Sequence, residues 1–258
     1  MAVYVVGDVH ADTYFEKMTD PELMGLTKDD YVIVCGDFEI VRADPEERAF
    51  CIARYEEMPY SVLFVDGNHE EHALIAAYPQ EEWAGGVVRR ISDHVRYLER
   101  GFVFEVGGVS LLALGGAKTF AGLREAGLLD GPDPGVPTKA QRARAEANLA
   151  AHEWKVDLVV SHAAPSVLVK KLPERSNTPT SDFTDWLEAV AGRTDFGMWL
   201  FGHYHCDAEP AQRFRCLLNQ IYRVSDGSVL REPVVDPQKG RRKGALSLPG
   251  KCVFGATA

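Results

Sequence analysis

Apolar runs and helical patterns alternate along the first 78 residues of the chain. Three runs are rich in β-branched and apolar residues: Val3–Val6, Tyr31–Cys35 and Ser61–Val65. Nearly continuous apolar runs of this length are typical of strands that a sheet buries on both faces. Helical patterns follow the runs, at residues 13–27, 45–58 and 70–77. The alternation predicts an α/β sheet.

The pattern changes in the middle of the chain. Short β runs within residues 87–116 are broken by glycines, and Gly107-Gly108 predicts a tight hairpin between two of them. These runs indicate an antiparallel meander and the start of a second sheet. Residues 117–137 are rich in Gly and Pro, which predicts a surface loop.

Alternation returns in the C-terminal half. Helices are predicted at 138–152 and 181–191, and strands at 157–161 and 198–201. Thr138 is a plausible N-cap for the first of these helices. Residues 213–218 and 220–224 are expected to pair as a hairpin around Asn219. No repeat or linker divides the chain, so we expect one domain over residues 1–235 and a partly disordered tail over 236–258.

Composition and charge narrow the class of protein. Of 258 residues, 46% are hydrophobic and 26% charged, as in soluble globular proteins, and no apolar run approaches the ~20 residues that span a bilayer. The five cysteines are widely spaced and form no CxxC pair, which favours reduced thiols and a cytoplasmic location. The net charge of −10 disfavours anionic membranes and nucleic acid, except as a nucleotide substrate. No pattern predicts an oligomeric state.

Five short clusters of acidic, amide and histidine residues are spread along the chain and contain most of its histidines. They are Gly7-Asp8-Val9-His10, Gly36-Asp37, Gly67-Asn68-His69-Glu70, Ser161-His162-Ala163 and Gly202-His203-Tyr204-His205. Four of them follow a predicted strand, which would deliver their side chains to a sheet edge. Histidine is the commonest metal ligand and carboxylates are its usual oxygen partners, so the clusters predict a metal site.

The number and chemistry of the candidate ligands indicate two divalent ions. The candidates are Asp8, His10, Asp37, Asn68, His162, His203 and His205. One ion takes about four to six ligands, so seven protein ligands exceed what one ion needs. Carboxylate, imidazole and amide ligands together suit Mn²⁺, with Fe or Zn²⁺ as alternatives, better than Ca²⁺ or Mg²⁺. The lack of thiolate ligands argues against structural zinc.

The order and spacing of these clusters resemble the calcineurin-like metallophosphoesterase superfamily. Its pattern is Asp-x-His, Gly-Asp, Gly-Asn-His-Asp/Glu, His and Gly-His-x-His, and every ligand position is present between residues 7 and 205. The chain is most similar to small bacterial and phage members. The resemblance implies a four-layer α/β/β/α fold, a sandwich of two mixed β-sheets flanked by helices, and a metal-dependent hydrolase of phosphomonoesters or phosphodiesters.

The resemblance also implies a role for each residue. One ion would be held by Asp8, His10, Asp37 and His205, and the other by Asp37, Asn68, His162 and His203. Asp37 would thus bridge both ions. His69 would be the general acid, protonating the leaving group after attack by a metal-bound hydroxide.

One departure from the family bears on the substrate. Serine/threonine protein phosphatases extend the second cluster to Gly-Asp-x-x-Asp-Arg-Gly, but here no aspartate stands at 40 and no arginine at 41. Glu39 or Arg42 are possible substitutes. Small phosphate esters and nucleotides therefore fit better than phosphoproteins. The alternatives are a protein phosphatase, a mononuclear structural metal protein and a non-catalytic binding module, although no ligand has been lost.

Glu70 of the third cluster and His72, two residues after it, have further expected roles. Glu70 is expected either to orient His69 or to favour a helix N-terminus. His72 is expected on a helix face and not among the ligands. Directly after the fifth cluster, Cys206 is expected to be a small buried apolar residue.

Overall fold

The computed structural model describes residues 1–119, 131–173 and 179–235 of the chain. The strands in chain order are β1 (Val3–Val6), β2 (Tyr31–Cys35), β3 (Ser61–Val65), β4 (Gln80–Trp83), β5 (Gly86–Arg90), β6 (Val95–Leu98), β7 (Val103–Val106), β8 (Val109–Leu114), β9 (Lys155–Ser161), β10 (Asp195–Phe201), β11 (Ala208–Ala211), β12 (Phe214–Cys216), β13 (Ile221–Arg223) and β14 (Val229–Leu230). The helices are α1 (Pro21–Met24), α2 (Pro45–Glu56), α3 (His72–Ala76), α4 (Lys139–Ala151), α5 (Ser166–Val169) and α6 (Asp182–Ala191), with a 3₁₀ turn at Phe15–Thr19.

The strands form two mixed sheets. The first has the order β14-β13-β1-β2-β3-β6-β5-β4, with β1, β2, β3 and β6 parallel. The second has the order β11-β12-β10-β9-β8-β7, with β8, β9, β10 and β12 parallel. The predicted meander is divided between the two sheets, and β7 and β8 pair around Gly107-Gly108 as the sequence predicts.

Three layers of apolar side chains hold the sheets and helices together. The middle layer packs alternate residues of the two sheets against each other, such as Val5 and Ile33 against Leu158 and Val160. The opposite faces of the sheets pack against helices, α2 and α3 on the first sheet and α4 and α6 on the second. The predicted four-layer architecture is therefore confirmed. No helix in the described ranges has the length and apolar character needed to cross a bilayer.

Capping residues set the main helix boundaries. Thr138 caps α4, as predicted, and Ser181 caps α6, each within a capping box. The single helix predicted over 13–27 is wrong. The 3₁₀ turn ends before Asp20, whose side chain caps α1, because Pro21 can begin a helix but cannot continue one.

The predicted hairpin around Asn219 is also wrong. β12 pairs with β10 in the second sheet, whereas β13 pairs with β1 in the first. The chain crosses between sheets here because the Asp207 carboxylate accepts hydrogen bonds from the backbone N–H groups of Leu218, Asn219 and Gln220. β4, β11 and β14 were not predicted, since they are short strands with half-exposed or exposed residues.

Two predictions concern residues beyond those described. The tail at 236–258 and residues 120–130 of the expected surface loop lie outside the described ranges. The assignment of residues 1–235 to one domain stays a prediction.

Candidate metal centre

All five clusters meet at one edge of the sandwich. Parallel strands β1, β2 and β3 deliver the first three clusters, and β9 and β10 deliver the last two, all from their carboxyl ends. A hydrogen bond of 2.7 Å from His162 Nδ1 to the carbonyl oxygen of Cys35 joins the two sheets at this edge. The structure thus brings together the side chains that the sequence predicts to form one site.

The inner part of the site is buried. Asp8, Asp37 and His162 are at most 2% exposed. His162 Nδ1 lies 3.5 Å from Asp8 Oδ1, and His162 Nε2 lies 3.3 Å from Asp37 Oδ2. The backbone N–H of His203 donates to Asp8 Oδ1 at 2.9 Å, and that of His69 donates to Asp37 Oδ1 at 3.0 Å. These contacts fix both carboxylates in place.

The outer part of the site is open to solvent. His10 Nε2 lies 2.9 Å from His205 Nε2 and 3.7 Å from Asp37 Oδ2, and the two imidazoles are 13% and 20% exposed. His205 Nε2 lies 3.4 Å from Asp8 Oδ2. The His69 imidazole is 49% exposed.

Glu39 lies between two of the outer histidines. Its Oε1 is 2.6 Å from His10 Nδ1 and 3.8 Å from His69 Nδ1. A carboxylate on Nδ1 of a histidine directs the other nitrogen, Nε2, towards a metal ion. Arg42, the other suggested substitute, lies beside helix α2, where its backbone carbonyl oxygen accepts a hydrogen bond from Arg48 Nη1 at 2.8 Å.

The backbone at the site is strained. Six non-glycine residues of the clusters and their flanks have a positive φ, between 47° and 69°: His10, Ala11, Asp37, Glu39, His203 and His205. Such conformations are uncommon outside glycine and concentrate at functional sites, where the surrounding structure imposes them. The strain is therefore independent support for a functional role of these residues.

Two glycines let the loops approach the carboxylates. A Cβ atom on Gly67 would lie 2.1 Å from Asp37 Oδ1 and 2.7 Å from His162 Nε2. A Cβ atom on Gly202 would lie 2.3 Å from Asp8 Oδ1. Any side chain at these positions would occupy the space between the candidate ligands.

The donor set fits metal ions. The ligand atoms of Asp8, His10 and His205 lie within 4.8 Å of one another, and so do those of Asp37, His162 and His203. Among the described residues, Asn68 Oδ1 and His162 Nε2 are buried side-chain atoms without a hydrogen-bond partner. Buried polar atoms are almost always partnered, so two such atoms without a hydrogen-bond partner beside two acids fit a cation site.

The acids and imidazoles perturb one another's protonation. Burial lowers the pKa of His162, but the charges of Asp37 and Asp8 outweigh it and raise the pKa to about 10. Burial also lowers the pKa of His10, but the hydrogen bond to Glu39 and the charge of Asp37 outweigh it and raise the pKa to about 9. Burial raises the pKa of Asp37, yet the His162 charge holds it well below its usual range. Because metal ions bind neutral imidazole, cation binding should release protons.

Two further residues stabilise the ligand loops. Glu70 neither orients His69 nor caps a helix, because its two carboxylate oxygens accept the backbone N–H groups of Phe38 and Gly67, at 2.8 and 2.7 Å. It therefore fastens the second cluster to the third. The buried Lys17 Nζ donates to the carbonyl oxygens of Asp8 and Leu218. The sequence gives no sign of Lys17, since a lysine in a polar helical pattern is typical of an exposed face.

Comparisons with known proteins give one family match and two similar solved structures. A family model described as calcineurin-like phosphoesterase matches residues 1–207. Among solved structures, phosphopantetheinyl hydrolase (PptH) from Mycobacterium tuberculosis is 18% identical with a TM-score of 0.45, over 99% of this chain and 98% of that one. The calcineurin-like phosphoesterase YfkN from Bacillus subtilis is 12% identical with a TM-score of 0.42, over 89% and 87%. A comparison with curated proteins finds no match.

Proposed function

Because the chain belongs to the calcineurin-like phosphoesterase family, whose members are metal-dependent hydrolases, we propose that it uses two divalent ions to hydrolyse a small phosphomonoester or phosphodiester. The observation that carries this proposal is the presence of two groups of three candidate ligands, in each of which the ligand atoms lie within 4.8 Å of one another. Asn68 Oδ1 and His162 Nε2, which have no hydrogen-bond partner, belong to the same site. A non-catalytic module would not be expected to keep such a complete donor set.

The proposed ligands divide between the two ions as the family resemblance implies. Asp8, His10 and His205 would hold one ion, Asn68, His162 and His203 the other, and Asp37 both. When bound, such ions neutralise phosphate oxygens and lower the pKa of a bound water towards ~7. We propose Mn²⁺ as the ion, with Fe or Zn²⁺ as alternatives, because the set mixes carboxylate, imidazole and amide ligands.

His69 is the proposed general acid. Its backbone N–H is fixed on Asp37, while its imidazole is half exposed at the outer side of the site. A proton held there can pass to the oxygen of the departing alcohol. Glu39, whose Oε1 lies 3.8 Å from His69 Nδ1, is placed to orient the ring.

The second cluster supports a small phosphate ester over a phosphoprotein. Ile40 and Val41 stand where protein phosphatases have their aspartate and arginine, and both side chains are buried in the core of the first sheet, at 1% and 3% exposure. Neither position can present a polar group to substrate. The chain therefore lacks the phosphate-binding arginine at this position on which a protein phosphatase relies.

Hydrolysis of two chromogenic esters tests the proposal. The metal-free protein is assayed on p-nitrophenyl phosphate and bis-p-nitrophenyl phosphate, with Mn²⁺, with Zn²⁺ and with chelator. We expect metal-dependent turnover, and the preferred ester will distinguish monoesterase from diesterase activity. If protein carrying two ions hydrolysed neither ester, nor a panel of nucleotides and sugar phosphates, the catalytic proposal would be wrong.

A further inference from the structure

A second buried charge cluster lies directly beside the third ligand loop. Asp66, the residue before Gly67-Asn68, is 1% exposed and pairs with Arg100, which is 5% exposed. Arg100 Nε lies 3.0 Å from both carboxylate oxygens of Asp66, and Nη2 also donates to Oδ2. The pair is therefore ionic although it is excluded from water.

Other groups complete the coordination of the Asp66 carboxylate. The Tyr97 hydroxyl donates to Oδ1 at 3.0 Å. His72 Nε2 lies 3.1 Å from Oδ2 and also 3.1 Å from the carbonyl oxygen of Gly67. His72 is therefore a partner of the ligand loop and not simply a residue on a helix face. Together these contacts hold the backbone immediately before Asn68 from three directions.

Asp66 and Arg100 also hydrogen-bond to two other segments, at Gly116 and at Pro134-Gly135. The backbone N–H of Gly116 donates to the Asp66 carbonyl oxygen at 2.7 Å. Arg100 Nη2 donates to the carbonyl oxygens of Pro134 and Gly135, at 3.0 and 3.2 Å. A Cβ atom on Gly135 would lie 3.4 Å from the Asn68 Cα. Arg100 thus links the loop that carries Asn68 to the segment that packs upon it.

Removing water from a charged pair costs free energy, and replacing such a pair with apolar residues is often neutral or stabilising. General stability is therefore a weak explanation for it. A loop that carries a metal ligand must hold that ligand in a fixed position. Mutation of residues that hydrogen-bond to metal ligands typically weakens metal affinity by ~10–100-fold. We propose that Asp66 and Arg100 are positioning residues for the metal ion that Asn68 binds, an inference that rests on the proposed two-ion function.

The structure offers a matched control for Arg100. Arg89 also pairs with a carboxylate, Glu99, at 2.8 Å, and its Nη1 donates to the carbonyl oxygens of Ala76 and Tyr78. None of these partners belongs to the site. Arg89→Lys therefore alters the same kind of side-chain network, and none of these hydrogen bonds involves the ligand loop.

Stepwise binding of Mn²⁺ to the metal-free full chain, measured by calorimetry, tests the inference. Asn68→Ala first identifies which of the two dissociation constants belongs to the Asn68 ion. We expect Arg100→Lys to raise that same constant ~10–100-fold and leave the other unchanged. Arg89→Lys should change neither. Thermal unfolding is measured for both variants, so that a loss of stability is seen separately from a loss of metal affinity.

Several results would overturn the inference. Two unchanged constants in Arg100→Lys, or equal rises in both constants, would show that the pair serves stability alone. If Arg100→Lys does not fold, Tyr97→Phe removes one hydrogen bond from Asp66 and should raise the same constant by a smaller factor; no rise would contradict the inference.

The proposed function can fail separately. Wild-type chain that binds one ion would contradict the two-ion site. If that single ion bound more weakly to Arg100→Lys but not to Arg89→Lys, the positioning role would still be supported. If the two variants bound the ion with equal affinity, the positioning role would be overturned.

Discussion

The inner and outer parts of the candidate metal centre use similar side chains in different surroundings. Asp8, Asp37 and His162 are buried and fastened by backbone hydrogen bonds, whereas the imidazoles of His205 and His69 are 20% and 49% exposed. A ligand that must hold an ion in place benefits from a rigid, water-excluding environment. A group that exchanges a proton with substrate must instead reach the surface. The contrast indicates that the buried inner residues fix the positions of the candidate ligands, whereas the half-exposed His69 is accessible to substrate.

Asp37→Asn is the strongest test of the inner part. The amide keeps the shape but removes the charge that both ions are proposed to share. Because a ligand itself is changed, we expect the dissociation constants of both Mn²⁺ ions to rise together by more than the ~100-fold upper range for a ligand's partner. Calorimetric titration measures both constants. Asp195→Asn, at an exposed carboxylate, is the control, and loss of one ion alone would contradict bridging.

His69→Ala should separate the outer part from the inner part. Metal content should stay unchanged, while turnover of an alkyl phosphate should fall ~10²–10⁴-fold, the usual contribution of a general acid. Turnover of p-nitrophenyl phosphate should fall less, since nitrophenolate leaves without a proton. His152→Ala, at an exposed histidine of the α4 C-terminus, should have no effect. Equal losses for both esters would exclude His69 as the proton donor.

Glu39→Gln should have the smallest effect on metal affinity and turnover. It should change both quantities, because Glu39 lies next to the candidate ligand His10 and the proposed general acid His69. We expect a ~10-fold weaker affinity for one Mn²⁺ ion, at the low end for a ligand's partner, together with a modest loss of alkyl phosphate turnover. Affinity and turnover are measured on the same preparation, with Glu46→Gln as an exposed control. If neither quantity changed, Glu39 would not position either histidine.

Local patterns in the sequence predict most of the fold. The bounds predicted for buried strands such as β2 and β3 match those observed, because nearly all of their residues are apolar. Edge strands such as β4 were missed, because half-exposed polar residues give no strong periodicity. The hairpin error around Asn219 has a different cause. Its crossing between sheets depends on Asp207, whose hydrogen bonds cannot be inferred from apolar patterns.

The sequence predicts the candidate ligands of the site but not the residues that hold their loops in place. The seven candidate ligands follow strands in recognisable clusters in the sequence, and the structure gathers these side chains at one edge. Residues that support the ligands, such as Lys17, Glu70 and Arg100, lie far from their partners along the chain or carry no motif of their own. Their roles depend on tertiary contacts, which only the folded structure provides.

The central claim is that this chain binds two ions that share Asp37. Electron paramagnetic resonance of metal-free protein reloaded with Mn²⁺, together with a direct ion count, tests it most directly. We expect two ions per chain and an exchange-coupled spectrum, as for ions ~3.5–4 Å apart. One ion per chain, or two ions with uncoupled spectra, would contradict the account.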